Sequence, residues 1–166
     1  MIINTQVLTP LELKSAIVLD PLIVKPDTTV MEAIAQMSGV WAMGDSTKNV
    51  HGQREELYLE AGFSYVLVVE DRQLLGIFTE RDIVRLSAKQ RSLEQITMAE
   101  VMISPVISLQ ESALTDLFLA INLLQQHDIC HLPILGDQNQ MVGIVTQESL
   151  LQALASQELF RQVALF

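Results

Sequence analysis

Two stretches of this 166-residue chain carry the residues whose types and spacing best suit chemistry: GIFTERDIV (76–84) and GIVTQESLL (143–151). Each sets a threonine, Thr79 or Thr146, between an apolar run that reads as a strand and a run that reads as a helix. A hydroxyl at such a junction sits beside backbone N–H groups that the helix leaves unpaired, a combination that can cradle phosphate oxygens. Three residues on, Asp82 supplies a carboxylate that can accept two hydroxyl hydrogen bonds, whereas the second stretch has Ser149, a hydroxyl without charge. The same Thr-x-x-Asp spacing also fits an ordinary helix start, with an N-cap threonine and an acid at the third helical position.

Other reactive side chains form no catalytic constellation. Arg81 and Arg85 flank Asp82 on the same predicted helix; Arg81 can approach a phosphate or simply lie on a solvated face. His127, Cys130 and His131 suggest a metal only superficially, because a predicted helix-to-strand break separates His127 from the others and no second ligand cluster exists. Cys130 aligns with Ser64, a small residue entering a strand, so it reads as packing rather than as a nucleophile. With no paired acids and no activated nucleophile at coherent spacing, the chain reads as a non-enzyme.

These residues are positioned by a repeat. Gly76 and Gly143 lie 67 residues apart, DPLIVKPDTTVMEAIAQM (20–37) matches SPVISLQESALTDLFLAI (104–121), and SYVLVVEDRQLLG (64–76) matches CHLPILGDQNQMVG (130–143) with one residue gained in the turn. The alignment pairs Pro21 with Pro105, Ile23 with Ile107, Val30 with Leu114 and Glu32 with Asp116. The first copy is about 18 residues longer, through an insertion near 38–61 that includes Trp41 and Met43. Its Gly, Asp, Ser, Thr and Asn cluster reads as a loop, followed by a helix at REELYLEAG. Each copy predicts strand, helix, strand, strand, helix, with the first strands at LIV and VIS and the second copy's helix carried by Leu114, Leu117, Phe118, Ile121 and Leu124. Two copies predict an α/β (α+β) sandwich of pseudo-symmetric β-α-β-β-α repeats packed through their sheets. The first spans 1–92 with an N-terminal segment, and the second spans 93–166 with an amphipathic helical tail, SQELFRQVALF. Between them SAKQRSLEQIT is polar, and Thr97 with Glu100 resembles a capping box opening a short helix, MAEVM.

Composition narrows the partners. The chain is 49% hydrophobic and 18% charged, which marks it as globular, and its mean hydropathy of +0.33 fits either apolar surface kept for a partner or a double-sided core. A formal charge of −10 with scattered Lys and Arg argues against nucleic acid. No apolar run reaches the roughly 18 residues of a membrane span, MIINTQVLTP lacks the pattern of a signal peptide, and one cysteine fits a reducing cytoplasm.

Together the DP opening at 20–21, HLP at 131–133 and G-h-h-T-x-x-D at 76–82, duplicated in order over roughly residues 15–155, resemble the CBS-domain family, the cystathionine-β-synthase type regulatory module. The resemblance implies a tandem, Bateman-type pair that dimerises and binds adenosine-containing ligands in clefts between the copies. It implies AMP, ADP or ATP as the ligand, with S-adenosylmethionine ranked behind, and a change of packing read by an effector domain. By resemblance Thr79 and Asp82 are the main contacts, Asp82 holding the ribose hydroxyls, with Ile23, Val66 and Leu67 flanking the adenine. His131 stands where the family often carries a basic residue near phosphate; it also fits a partly buried hairpin histidine. Thr146, Ser149 and Ser108 would form a second site, weaker, altered in preference or empty because the acid is missing, and Ser108 also fits a strand-end serine. A structural dimerisation module with vestigial pockets is the alternative.

Overall fold

The computed structural model describes residues 14–39, 63–88 and 92–163, with side chains described as far as residue 155. The insertion's loop and REELYLEAG helix lie outside the described residues. The chain falls into two compact units, Leu22–Val106 and the residues before Leu22 together with those from Ile107 onward.

The first of these contains β2 (Ile23–Val24), α1 (Val30–Met37), β3 (Tyr65–Glu70), β4 (Gln73–Thr79), α2 (Glu80–Ser87) and a short α3 (Met98–Val101). Its sheet has the order β2-β3-β4, with β2 parallel to β3 and β3 antiparallel to β4. The turn between β3 and β4 places Asp71 and Arg72 at φ 48° and 67°, the left-handed pair that matches a hairpin's twist. Val30, Ala33 and Met37 share one face of α1 and pack with Val66, Val68 and Phe78 of the sheet.

The polar connection is part of this unit. Its Ile96 and the following Met98 of α3 are buried in the core. The N–H groups of Val30 and Met31, which α1 cannot pair internally, donate to Ile96 O at 2.8 Å and Leu93 O at 3.2 Å. Thr29 and Glu32 complete that helix end as a capping box. The predicted box at Thr97 and Glu100 also forms, with Thr97 N donating to Glu100 Oε2 at 2.9 Å.

The second unit contains β5 (Leu109–Gln110), a 3-10 turn (Glu111–Ala113), α4 (Leu117–Gln126), β6 (His131–Leu135), β7 (Met141–Thr146) and α5 (Gln147–Val163). To its sheet is added β1 (Ile17–Val18), giving the order β1-β7-β6-β5. Each unit thus shows the expected β-α-β-β-α order. Residues 156–163 of the tail continue α5.

Strand register corrects the alignment upstream of the hairpin. Val24 pairs with Val68 and Leu109 with Ile134, and a register shift follows Val68 and Ile134 in the two hairpins. Leu109, not Ser108, therefore matches Val24, and the strand lies after VIS. The helices slip further: α1 buries Val30, Ala33 and Met37, while α4 buries Leu117, Ala120 and Leu124. Leu117 is thus the counterpart of Val30, and Asp116 is the counterpart of Thr29. The 3-10 turn absorbs the extra residues and leaves Leu114 buried ahead of the helix, while Phe118 faces outward.

The repeated glycines mark the same construction in each unit. A Cβ on Gly143 would stand 2.6 Å from Val18 O, and one on Gly76 would stand 2.7 Å from Met102 Cβ. Both glycines let a segment from outside the sequence copy come close: β1 pairs with β7, and Ile103 bridges to Ile77 of β4. Compact units and sequence copies are therefore drawn differently, since residues before Leu22 join the second copy and the connection joins the first.

Candidate ligand-binding corners

Each hairpin ends in a strand-to-helix corner. Thr79 is the last residue of β4 and the N-cap of α2, with extended backbone at φ −131° and ψ 166°. Its N–H and its hydroxyl both donate to Asp82 Oδ2, at 3.0 and 2.7 Å. The other carboxylate oxygen accepts from Arg85 Nη1 at 3.3 Å. Asp82 is buried at 7% exposure, while Thr79 is half-buried and Arg85 largely exposed. The structure shows the helix cap: Asp82 closes a capping box with Thr79, and its other oxygen meets Arg85.

In the second unit Thr146 N donates to Ser149 Oγ at 2.9 Å, and Ser149 N donates to Thr146 Oγ1 at 3.0 Å. The serine hydroxyl donates in turn to Thr146 O at 3.1 Å. Ser149 is buried at 6% exposure, so serine preserves the helix start while removing the charge.

The backbone donors are less free than the sequence predicts. Glu80 N donates to Ser64 O at 3.1 Å, and Gln147 N donates to Cys130 O at 3.2 Å. Each helix's first N–H is therefore taken by the residue entering the neighbouring strand, and the N-cap N–H is taken by Asp82 or Ser149. A cradle of unpaired amides does not follow from the helix start alone.

Across the hairpin Tyr65 faces Thr79 in register, and His131 faces Thr146. Burial pushes the Tyr65 phenol up to about 12 and holds the His131 imidazole down at about 4, neutral at physiological pH. His131 therefore brings no positive charge to its corner there. Tyr65 also meets Phe63 edge-on at 6.2 Å between ring centroids.

The remaining candidates separate. Val66 and Leu67 are fully buried in β3, whereas Ile23 stays 44% exposed. Arg81 is exposed on the first turn of α2, and Ser108 is half-buried just before β5. Arg85, which the sequence places beside Asp82 without assigning it a role, pairs with that carboxylate at i, i+3 spacing. Among the described residues no group of three or more His, Cys, Asp or Glu could hold a metal ion. No helix among them is long and apolar enough to cross a membrane.

The family model of the CBS domain matches residues 55–89 and 98–156, more than half of the chain and both corners. The chain belongs to the CBS-domain family. An uncharacterized protein of Methanopyrus kandleri is 32% identical over 90 residues, 54% of this chain and 45% of that protein, so the chain spans less than half of this relative's length. The crystal structure of the CBS domain pair of protein MJ0100, in complex with 5-methylthioadenosine and S-adenosyl-L-methionine, superposes with a TM-score of 0.62 at 20% identity, covering 84% of this chain and 96% of that one. The cytosolic domain of the Mg2+ channel MgtE in complex with ATP gives a TM-score of 0.57 at 21% identity, covering 82% of this chain and 46% of that one. These likenesses show the fold, that of a tandem CBS pair.

Proposed function

We propose that this CBS pair senses an adenosine-containing ligand, of the AMP, ADP or ATP type, and passes a change in packing to an effector. The observation that carries the reading is the first corner: a buried carboxylate, Asp82, held by Thr79 and by the largely exposed Arg85 at the edge of solvent. A carboxylate at such an edge can accept hydrogen bonds from vicinal hydroxyls, the same acid-to-diol logic that dinucleotide folds use for ribose. Adenosine-type ligands named for the fold neighbours, 5-methylthioadenosine, S-adenosyl-L-methionine and ATP, support the same class. Ligand binding regulates only through unequal affinity for two arrangements of the protein, so the effector must read a population shift.

Calorimetry with AMP, ADP, ATP and S-adenosylmethionine tests this, with Asp82→Ala as the site variant. Saturable binding that weakens about tenfold or more in the variant is expected, from loss of a charge-assisted hydrogen bond. Absence of binding removes the sensing role, and binding indifferent to Asp82→Ala removes the site.

A homodimer is part of the proposal. Matching helical positions in the two units expose large apolar side chains: Met31 at 44% and Phe118 at 61%, then Val84 at 71% and Leu151 at 67%. The alternative, a dimerisation module whose pockets are vestigial, draws on the same exposure and on the missing acid at Ser149. A dimer that forms without nucleotide and binds none would favour it.

A further inference from the structure

Helices α4 and α5 cover one face of the second unit's sheet. Leu117, Ala120 and Leu124 of α4 and Leu150 and Ala153 of α5 pack in one core with Leu132, Ile134 and Val145. The register of β6 and β7 puts those three strand residues on the same side. The outward faces of the two helices therefore form one surface. It is apolar: Phe118 is 61% exposed, Leu151 67% and Leu154 39%. It is also nearly without charge. α4 (LFLAINLLQQ) has no charged residue, and Glu148, the one charge of α5 up to residue 155, accepts from Gln152 Nε2 at 3.3 Å.

The corresponding helices of the first unit differ. There α1 and α2 expose Met31 and Val84, but Glu32, Glu80, Arg81 and Arg85 are exposed on the same two helices. Glu32 already closes the cap of α1 at Thr29, and Arg85 already pairs with Asp82 at 3.3 Å. Covering these helices with another chain strips water from ions, a cost repaid only by well-formed new pairs. Covering the α4–α5 surface strips water from apolar carbon, which favours association. The chain carries a formal charge of −10, so two copies repel one another except where they meet through neutral surface.

We propose that a second copy of this chain covers the α4–α5 surface with its own α4–α5 surface, about a two-fold axis, so that second unit holds second unit. The inference rests on the homodimer reading and deepens it, fixing which helices meet and with which symmetry. A patch that meets itself makes a closed, isologous interface. The α1–α2 helices can meet neither their own copy nor an α4–α5 surface without desolvating Glu80, Arg81 and Arg85. Val84 and Leu151 occupy matching helical positions and are similarly exposed, at 71% and 67%, yet only Leu151 belongs to the interface. Neighbouring charge, not exposure, separates them.

The full chain, with its one cysteine removed by Cys130→Ser, is given a single new cysteine by Leu151→Cys, Phe118→Cys or Val84→Cys and treated with a short bismaleimide. Covalent dimer is expected from Leu151→Cys, from Phe118→Cys or from their mixture, and none from Val84→Cys. In sedimentation, Leu151→Arg should raise the dimer dissociation constant about thirtyfold or more, while Val84→Arg leaves it unchanged. Both side chains are exposed in the single chain, so both arginine variants should keep the wild-type circular dichroism spectrum. Cross-linking of Val84→Cys to itself or to Leu151→Cys overturns the inference. So does a dimer that yields none of the expected products, or one indifferent to Leu151→Arg in a folded variant. A wild type that sediments as a monomer at every concentration removes the homodimer reading and the inference with it, a result distinct from a dimer joined elsewhere.

Discussion

His131 is where one residue ties the corner to stability. Its folded-state pKa of about 4 lies below the ordinary histidine value near 6.5, because burial disfavours the charged ring. Between those values the unfolded chain binds the additional proton, so stability falls as pH drops from about 6.5 towards 4. After allowance for partial exposure the loss is about 2 kcal/mol. Urea unfolding at pH 7 and pH 5 should show that slope in wild type and a shallower one in His131→Gln. Parallel pH profiles for the two proteins would remove this account. The same neutral ring explains why a basic residue predicted beside phosphate does not supply charge at that corner above the acid range. Asp82 shows the converse lesson, since its cap bonds and its polar corner are one set of contacts.

Strands β4 and β7 set the element scale, through the glycines that admit a foreign segment. Gly143→Ala places a methyl against a backbone carbonyl, Val18 O, which cannot rotate away. Gly76→Ala meets the Met102 side chain, which can adjust in part. Overpacking of this kind costs about 1–3 kcal/mol, and Gly143→Ala should sit at the upper end with Gly76→Ala below it. Thermal denaturation of both variants checks the order, and a Gly143→Ala protein as stable as wild type would show that β1 does not hold its place against β7. Capping works at this scale as well. Val30 and Met31 rely on carbonyls of Ile96 and Leu93 more than sixty residues away in sequence, so α1 depends on a connection that reads as a linker.

At the scale of the whole molecule, the compact units cut across the sequence copies. A fragment of residues 22–106 keeps Ile96, Met98 and the Ile77–Ile103 bridge, whereas 1–92 loses all three from its core. The shorter unit should therefore unfold cooperatively by circular dichroism while 1–92 gives a broad, weak transition, although 1–92 is the longer piece. Equal cooperativity in the two fragments would mean that the connection contributes little to the core.

The repeat, the β-α-β-β-α order, the hairpins and the Thr97–Glu100 cap were legible in the sequence, because apolar periodicity and capping spacing are local and leave a signature within one element. The pairing of Thr79 with Asp82 was legible for the same reason. Three things waited for the tertiary structure. The slip that matches Leu117 with Val30 is invisible to alignment because a 3-10 turn absorbs it, and only burial and strand register reveal which residues occupy the same place. The exchange of β1 and Ile103 between copies is non-local, encoded only in glycines whose partners are distant in sequence. Last, the sequence showed an acid replaced by a serine, but the direction in which each hydroxyl points its proton depends on which neighbours are within hydrogen-bonding reach. That was decided by the fold.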